Sequence, residues 1–256
     1  MMKPYFYILT TLFVLVNMGL AEELKGSYSP WNKTTTNSQV HLLELFSSEG
    51  CSSCPPAEGW LTELRKHTGL WTSFVPVAFH VDYWNQLGWH DRFSKQVFTA
   101  RQNQYAKDWG TGTIYTPAFV LDGRSWRVGQ LPNPADLGGQ TGNLSVQRTG
   151  KRSFHVNFVP LDNKIQPNIS GALLGNGLVT RVMSGENSGK TLRHEFVVLS
   201  LKTSSMKQFN NTWSSEIELS GPATHQPTGY SVSFWITDQR SNRPIQALGG
   251  DLDLGE

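Results

Sequence analysis

Cysteine is almost missing from this chain: its 256 residues include two, Cys51 and Cys54. That excludes a fold stapled by several long-range disulfides. A bridge between residues so close together also removes little unfolded-chain entropy, so stability is a poor reason for the pair. Charge is scarce as well, at 16% of residues with a net value of +2, which excludes nucleic acid as a partner. There is no phosphate-binding glycine loop, no internal repeat, and no acidic or basic tail. Beyond residue 21 no segment is apolar enough to cross a bilayer, so no transmembrane segment is expected after signal cleavage.

The first residues read as a targeting segment. Lys3 supplies the positive start, Tyr5 to Val16 is almost wholly apolar, and Gly19-Leu20-Ala21 places small residues where a signal peptidase reads them. Residues 1–21 are therefore expected to be a signal peptide, and the protein to be exported, either to a bacterial periplasm or outside the cell. Residues 22–38 read as a flexible, polar lead-in.

From residue 39 to 144 the pattern alternates strand and helix. Val40 to Phe46 has the length of a buried strand, and a loop then leads to the cysteines. Pro55-Pro56 are tolerated only in the first turn of a helix, which places a helix start beside Cys54. Phe74 to Val81 reads as a second strand and Phe93 to Trp109 as a second helix. Thr116-Pro117 precedes a strand, and Asp122-Gly123 reads as a hairpin turn. From 145 to 256 short apolar runs separated by glycine, serine and asparagine turns predict an all-β, sandwich-like domain. Asn187-Ser188-Gly189-Lys190 reads there as a turn and nothing more.

A Cys-x-x-Cys pair at a strand-to-helix turn suits thiol–disulfide exchange. The spacing lets the sulfurs close a bond, and the positive end of the helix dipole favours the thiolate of the first cysteine. Cys51 is assigned as nucleophile and Cys54 as resolving thiol. Between them, Ser52-Ser53 has neither a proline to stiffen the turn nor a histidine to stabilise a thiolate, which predicts an intermediate reduction potential. His80 and Asp82 end the second strand, where the carboxyl ends of parallel strands line a crevice. His80 is a candidate to stabilise the Cys51 thiolate and Asp82 to orient it. Tyr83, Trp84, Trp89 and Tyr105 either wall a groove or pack an insertion, and Tyr115 stands just before the Thr-Pro step. Arg101 is a candidate partner for Asp82 or for a substrate carboxylate.

ELFSSEGCSSCPPAE, FHVDYWNQLGWHDRF, Arg101 through Tyr105, YTPAFVLDG and GENSGKTLRHEFVV resemble, in that order, a family of secreted bacterial proteins labelled domain of unknown function 1223, itself similar to the thioredoxin superfamily. The resemblance implies an α/β thioredoxin-like domain, a mixed sheet flanked by helices, followed by the β domain. It implies a cis bond at Thr116-Pro117 facing the dithiol, and a buried carboxylate beside it acting as a proton shuttle, for which Glu44 and Glu49 compete. The expected activity is that of an extracytoplasmic oxidoreductase acting on protein or small-molecule thiols and disulfides without a cofactor. Two alternatives stay open: a copper(I) or other metal carrier using Cys51, Cys54 and His80, and a non-catalytic binding module.

Overall fold

The computed structural model describes residues 28–129, 131, 139–221 and 225–255, so the expected signal peptide and the first part of the expected lead-in lie outside the described residues. The lead-in supplies a short strand, β1 (Asn32–Thr34). A strand–helix–strand unit follows: β2 (His41–Ser47), α1 (Cys54–Glu63) and β3 (Phe74–His80). Pro55 and Pro56 occupy the first turn of α1, where a missing N–H leaves no bond unmade. Next come α2 (Gln96–Asp108), β4 (Ala118–Leu121) and β5 (Arg124–Trp126).

The rest is strand: β6 (Gly142–Arg148), β7 (Ser153–Pro160), β8 (Pro167–Asn176), β9 (Leu178–Arg181), β10 (Thr191–His194), β11 (Val197–Ser205), β12 (Lys207–Phe209), β13 (Thr212–Glu218), β14 (Gly229–Asp238) and β15 (Pro244–Leu252).

These strands correct the expected fold class. The molecule is mostly β, with two α-helices among the described residues, and it is not an α/β thioredoxin-like domain with a mixed sheet flanked by helices. Its main sheet has eight strands in the order β15-β14-β8-β11-β3-β2-β4-β5, so strands from both halves of the chain share one sheet. The join is at β3, which pairs in parallel with β2 on one side and meets β11 on the other. There Ala78 N–H donates to the Phe196 carbonyl at 2.8 Å.

The physical reason is burial. Residues 169–176 and 197–200 are buried without a break, as central strands must be, whereas a separate two-layer sandwich would show alternation. A second sheet, β1-β6-β7-β13-β12, closes a core against β8, β14 and β15 through Phe154, Phe158, Phe234 and Leu248.

Two faces of the β2–β3 pair position everything that follows, because side chains alternate along a strand. On one face Phe46 stacks on Phe79, which packs against Phe98 of α2. On the other face Ser47 reaches α1 through its bond to Glu58. The β4–β5 hairpin turns at Asp122 (φ 47°) and Gly123 (φ 74°), as Asp-Gly in that setting predicts. A Cβ on Gly123 would lie 3.0 Å from Arg243 Cα. Gly123→Ala is expected to destabilise the fold by about 1–2 kcal/mol in urea unfolding, since it adds strain at positive φ to that contact.

Candidate functional site

Cys51 and Cys54 form a disulfide with their Cα atoms 5.5 Å apart, at the turn between β2 and α1. Cys54 N–H donates to the Cys51 carbonyl, and Ser53 Oγ lies 3.3 Å from Cys51 Sγ. Ser52 and Ser53 are exposed, but both cysteines are fully buried.

The segment from Val182 to Lys190, which links β9 to β10, is tied to the loop that carries the disulfide. Asn187, itself fully buried, donates from Nδ2 to the carbonyls of both Glu49 and Cys51, each at 2.9 Å, and Lys190 Nζ donates to its Oδ1. Glu186 accepts the Ser52 N–H at 3.0 Å. Ser184 Oγ donates to the Gly88 carbonyl, and Gly185, at φ 73°, packs on Trp89. The asparagine read as part of a plain turn is thus the latch of a strap bonded to the disulfide loop.

Beside this turn lies a buried polar cluster built on the face of the sheet that meets α1. Glu58 comes one helical turn after Cys54, on the buried side of α1. It accepts from Ser47 Oγ and pairs with His194 Nδ1 at the end of β10. His80, at the end of β3, pairs through Nδ1 with Asp91 Oδ2 at 2.6 Å. Asp91 also accepts the backbone N–H groups of Glu49 and Phe93. Glu49 Oε2 accepts from Trp89 Nε1 at 2.8 Å. Glu49, His80 and Asp91 are 0% exposed and His194 1%, so these groups depend on one another for solvation.

Burial alone would discharge the imidazoles, yet the facing carboxylates win. Burial pushes His194 down, but Glu58 and Glu49 more than offset it and lift it to about 10. His80 is also raised, since Asp91 overcomes the burial penalty. Burial pushes Glu58 up, but His194 and its hydrogen bond hold it below the usual carboxylate value. Asp91 is likewise held low against its burial by His80.

Other residues singled out in the sequence are placed as follows. Glu44 lies three residues from Ser47 along β2 and therefore on the opposite face, away from Glu58. Its carboxylate is taken by Arg101, which donates from Nε at 2.5 Å and Nη2 at 3.0 Å, and by the Tyr105 hydroxyl at 2.6 Å. Arg101 thus serves Glu44 and not Asp82. Asp82 accepts from Thr99 Oγ1 at 2.5 Å, and the carboxylate that orients His80 is Asp91.

Thr116–Pro117 is cis. Trp84 donates from Nε1 to Thr116 Oγ1 at 2.8 Å, and its Cβ sits 3.1 Å from where a Gly50 Cβ would lie, so it bridges the Thr-Pro segment and the loop before Cys51. Tyr115 is 53% exposed, and its carbonyl accepts from Gln102. Trp84→Phe is expected to cost about 1 kcal/mol in urea unfolding, the net worth of one such hydrogen bond.

Sequence reading missed Glu58, Asp91, His194 and Asn187. A signal existed only for Glu58, whose spacing from Cys54 puts both on one helix face. Among the described residues, the group of metal-ligand type that converges is Glu58, His80 and His194, and neither cysteine belongs to it.

A mostly β scaffold carrying a buried Cys-x-x-Cys disulfide, strapped by a distant hairpin, defines the class of protein. The chain belongs to the family described as Protein of unknown function (DUF1223), which matches residues 42–236. No curated protein matches it. It is similar to an X-ray crystal structure of a protein from Agrobacterium tumefaciens, with 21% identity and a TM-score of 0.55, over 87% of this chain and 96% of that one. It is also similar to HBP35 of Porphyromonas gingivalis, with 16% identity and a TM-score of 0.57, over 86% of this chain and 77% of that one. At such identities the likeness concerns the fold alone. No helix among the described residues is long and apolar enough to cross a membrane.

Proposed function

We propose that this protein is an exported thiol–disulfide oxidoreductase whose Cys51–Cys54 pair exchanges with protein or small-molecule thiols. The observation that carries the reading is the bond between the chain's two cysteines at the turn that starts α1. So short a loop gives the bond little structural purpose.

In the reducing direction for the pair, a substrate thiolate attacks Cys51 Sγ, the Cys51–Cys54 bond breaks, and Cys54 leaves as a thiolate that takes up a proton. A second substrate thiolate then attacks the substrate sulfur of the mixed disulfide. Cys51 leaves as a thiolate, so two electrons pass to the pair and the substrate becomes a disulfide. The reverse direction runs the same bonds backwards, with Cys51 as nucleophile and Cys54 resolving. Because both cysteines are buried and Asn187 holds the Cys51 carbonyl, exchange in this reading follows displacement of the strap.

Export rests on the apolar segment ending at Ala21. Expression of the Cys54→Ala variant in the native host tests the whole reading. The variant is expected to hold partners on Cys51 as mixed disulfides that dithiothreitol releases, and that are lost when Cys51→Ser is added. Recovery of no such adduct would count against exchange.

A further inference from the structure

Glu58, His80 and His194 come from three separate elements, α1, β3 and β10, and meet in the interior of the protein. One ligand atom from each lies within 4.8 Å of the other two. The Nε2 atoms of His80 and His194 and the Oε1 of Glu49 are buried without a hydrogen-bond partner. His194 Nε2 faces Glu49 Oε1 at 3.4 Å, close enough for an ion pair but not aligned as a hydrogen bond. Orphaned buried polar atoms are costly, and since His194 Nε2 and Glu49 Oε1 answer each other as an ion pair, it is His80 Nε2 that calls for a partner.

Each imidazole has a carboxylate on its outer nitrogen, Asp91 on His80 Nδ1 and Glu49 facing His194 Nε2, while Glu58 meets His194 at Nδ1. A carboxylate at one ring nitrogen orients a histidine so that the other nitrogen presents its lone pair to a metal.

We propose that this cluster is a binding site for a divalent transition-metal ion of the zinc class. His80 coordinates through Nε2, His194 through Nδ1 and Glu58 through the carboxylate that faces that nitrogen, the ion taking the place of the proton between them, while Glu49 Oε1 faces His194 from its Nε2 side. Two imidazoles and a carboxylate suit such an ion better than magnesium or calcium, which prefer an all-oxygen shell. The ion ties α1 to β3 and β10 on the side of the sheet that carries the disulfide. Asp91 is a positioning residue that touches no metal. The site is distinct from any that the cysteines would form, since it needs no thiolate, and it stands whether or not the disulfide is exchanged.

The test uses the mature chain with its disulfide intact, stripped with a chelator and titrated with cobalt(II) as a spectroscopic stand-in. The expected result is one ion per chain, with visible d–d bands of nitrogen and oxygen ligation, no sulfur charge-transfer band, and a rise in Tm with zinc. His194→Gln is expected to weaken binding at least tenfold, and Asp91→Asn by about 10–100-fold. A Cys51→Ser/Cys54→Ser variant is expected to bind as the parent does.

Absence of bound cobalt in the folded, oxidised parent would overturn the proposal. So would a spectrum that appears only after reduction and carries sulfur charge transfer, which would place the metal on the cysteines. The parent's spectrum and stoichiometry decide the matter even where a variant fails to fold.

Discussion

Arg101→Ala is expected to destabilise the protein by about 3–5 kcal/mol, the usual result of stripping one partner from a buried ion pair. Glu44 is fully buried, and both its oxygens depend on Arg101 or on Tyr105. The guanidinium is held well above even its ordinary pKa, since the attraction of Glu44 overcomes the burial penalty, so it stays charged. Its plane also lies over the rings of Phe79, Tyr105 and Trp235 at 5.5, 5.1 and 5.3 Å. Losing the arginine therefore removes packing from the sheet–α2 interface and leaves a carboxylate in an apolar setting. The double variant Glu44→Leu/Arg101→Met is expected to recover most of the loss, because the buried charge goes with its partner. Urea midpoints of the parent, single and double variants measure both effects. A double variant no better than the single would mean that packing, and not charge, dominates.

The second large effect concerns access to the disulfide. Asn187 is fully buried and holds two backbone carbonyls, those of Glu49 and Cys51. Asn187→Ala removes both bonds and leaves the Glu49 carbonyl unpaired whenever the strap is closed, while the Cys51 carbonyl keeps the Cys54 N–H, a penalty of about 2 kcal/mol. The open form gains by the same amount, so the Cys51–Cys54 bond is expected to react about thirtyfold faster with dithiothreitol. Glu186→Gln keeps an acceptor on an exposed contact and is expected to change the rate by less than about threefold. Stopped reactions, alkylated and weighed by mass spectrometry, give both rates. Equal rates for Asn187→Ala and the parent would show that the strap does not limit access.

Much of the local structure was legible in the sequence. Pro55-Pro56 mark the start of α1, Asp122-Gly123 mark the hairpin, and apolar runs mark β2 and β3. Each is a short-range signal carried by backbone chemistry within a few residues. The sheet as a whole was not legible. Nothing local to Phe74–His80 says that its free edge will be taken by a strand more than a hundred residues later, and the expected thioredoxin-like architecture failed on that point.

The site divided in the same way. Cys51, Cys54 and His80 could be singled out because they stand at strand and helix ends. Glu44 could not be sorted from Glu49, because which face a carboxylate on β2 takes depends on strand phase. Asp91, His194 and Asn187 arrive from loops and a distant hairpin, and only the folded chain brings them to the cysteines and to His80.

The central claim is that Cys51–Cys54 is a working redox pair in the folded protein. Equilibrating the native mature chain in glutathione buffers of graded potential, then alkylating and weighing it while circular dichroism follows the fold, tests this most directly. The account predicts reversible two-electron conversion of folded disulfide to folded dithiol at an intermediate potential, between about −180 and −270 mV. A pair that stays oxidised until the protein unfolds would contradict it.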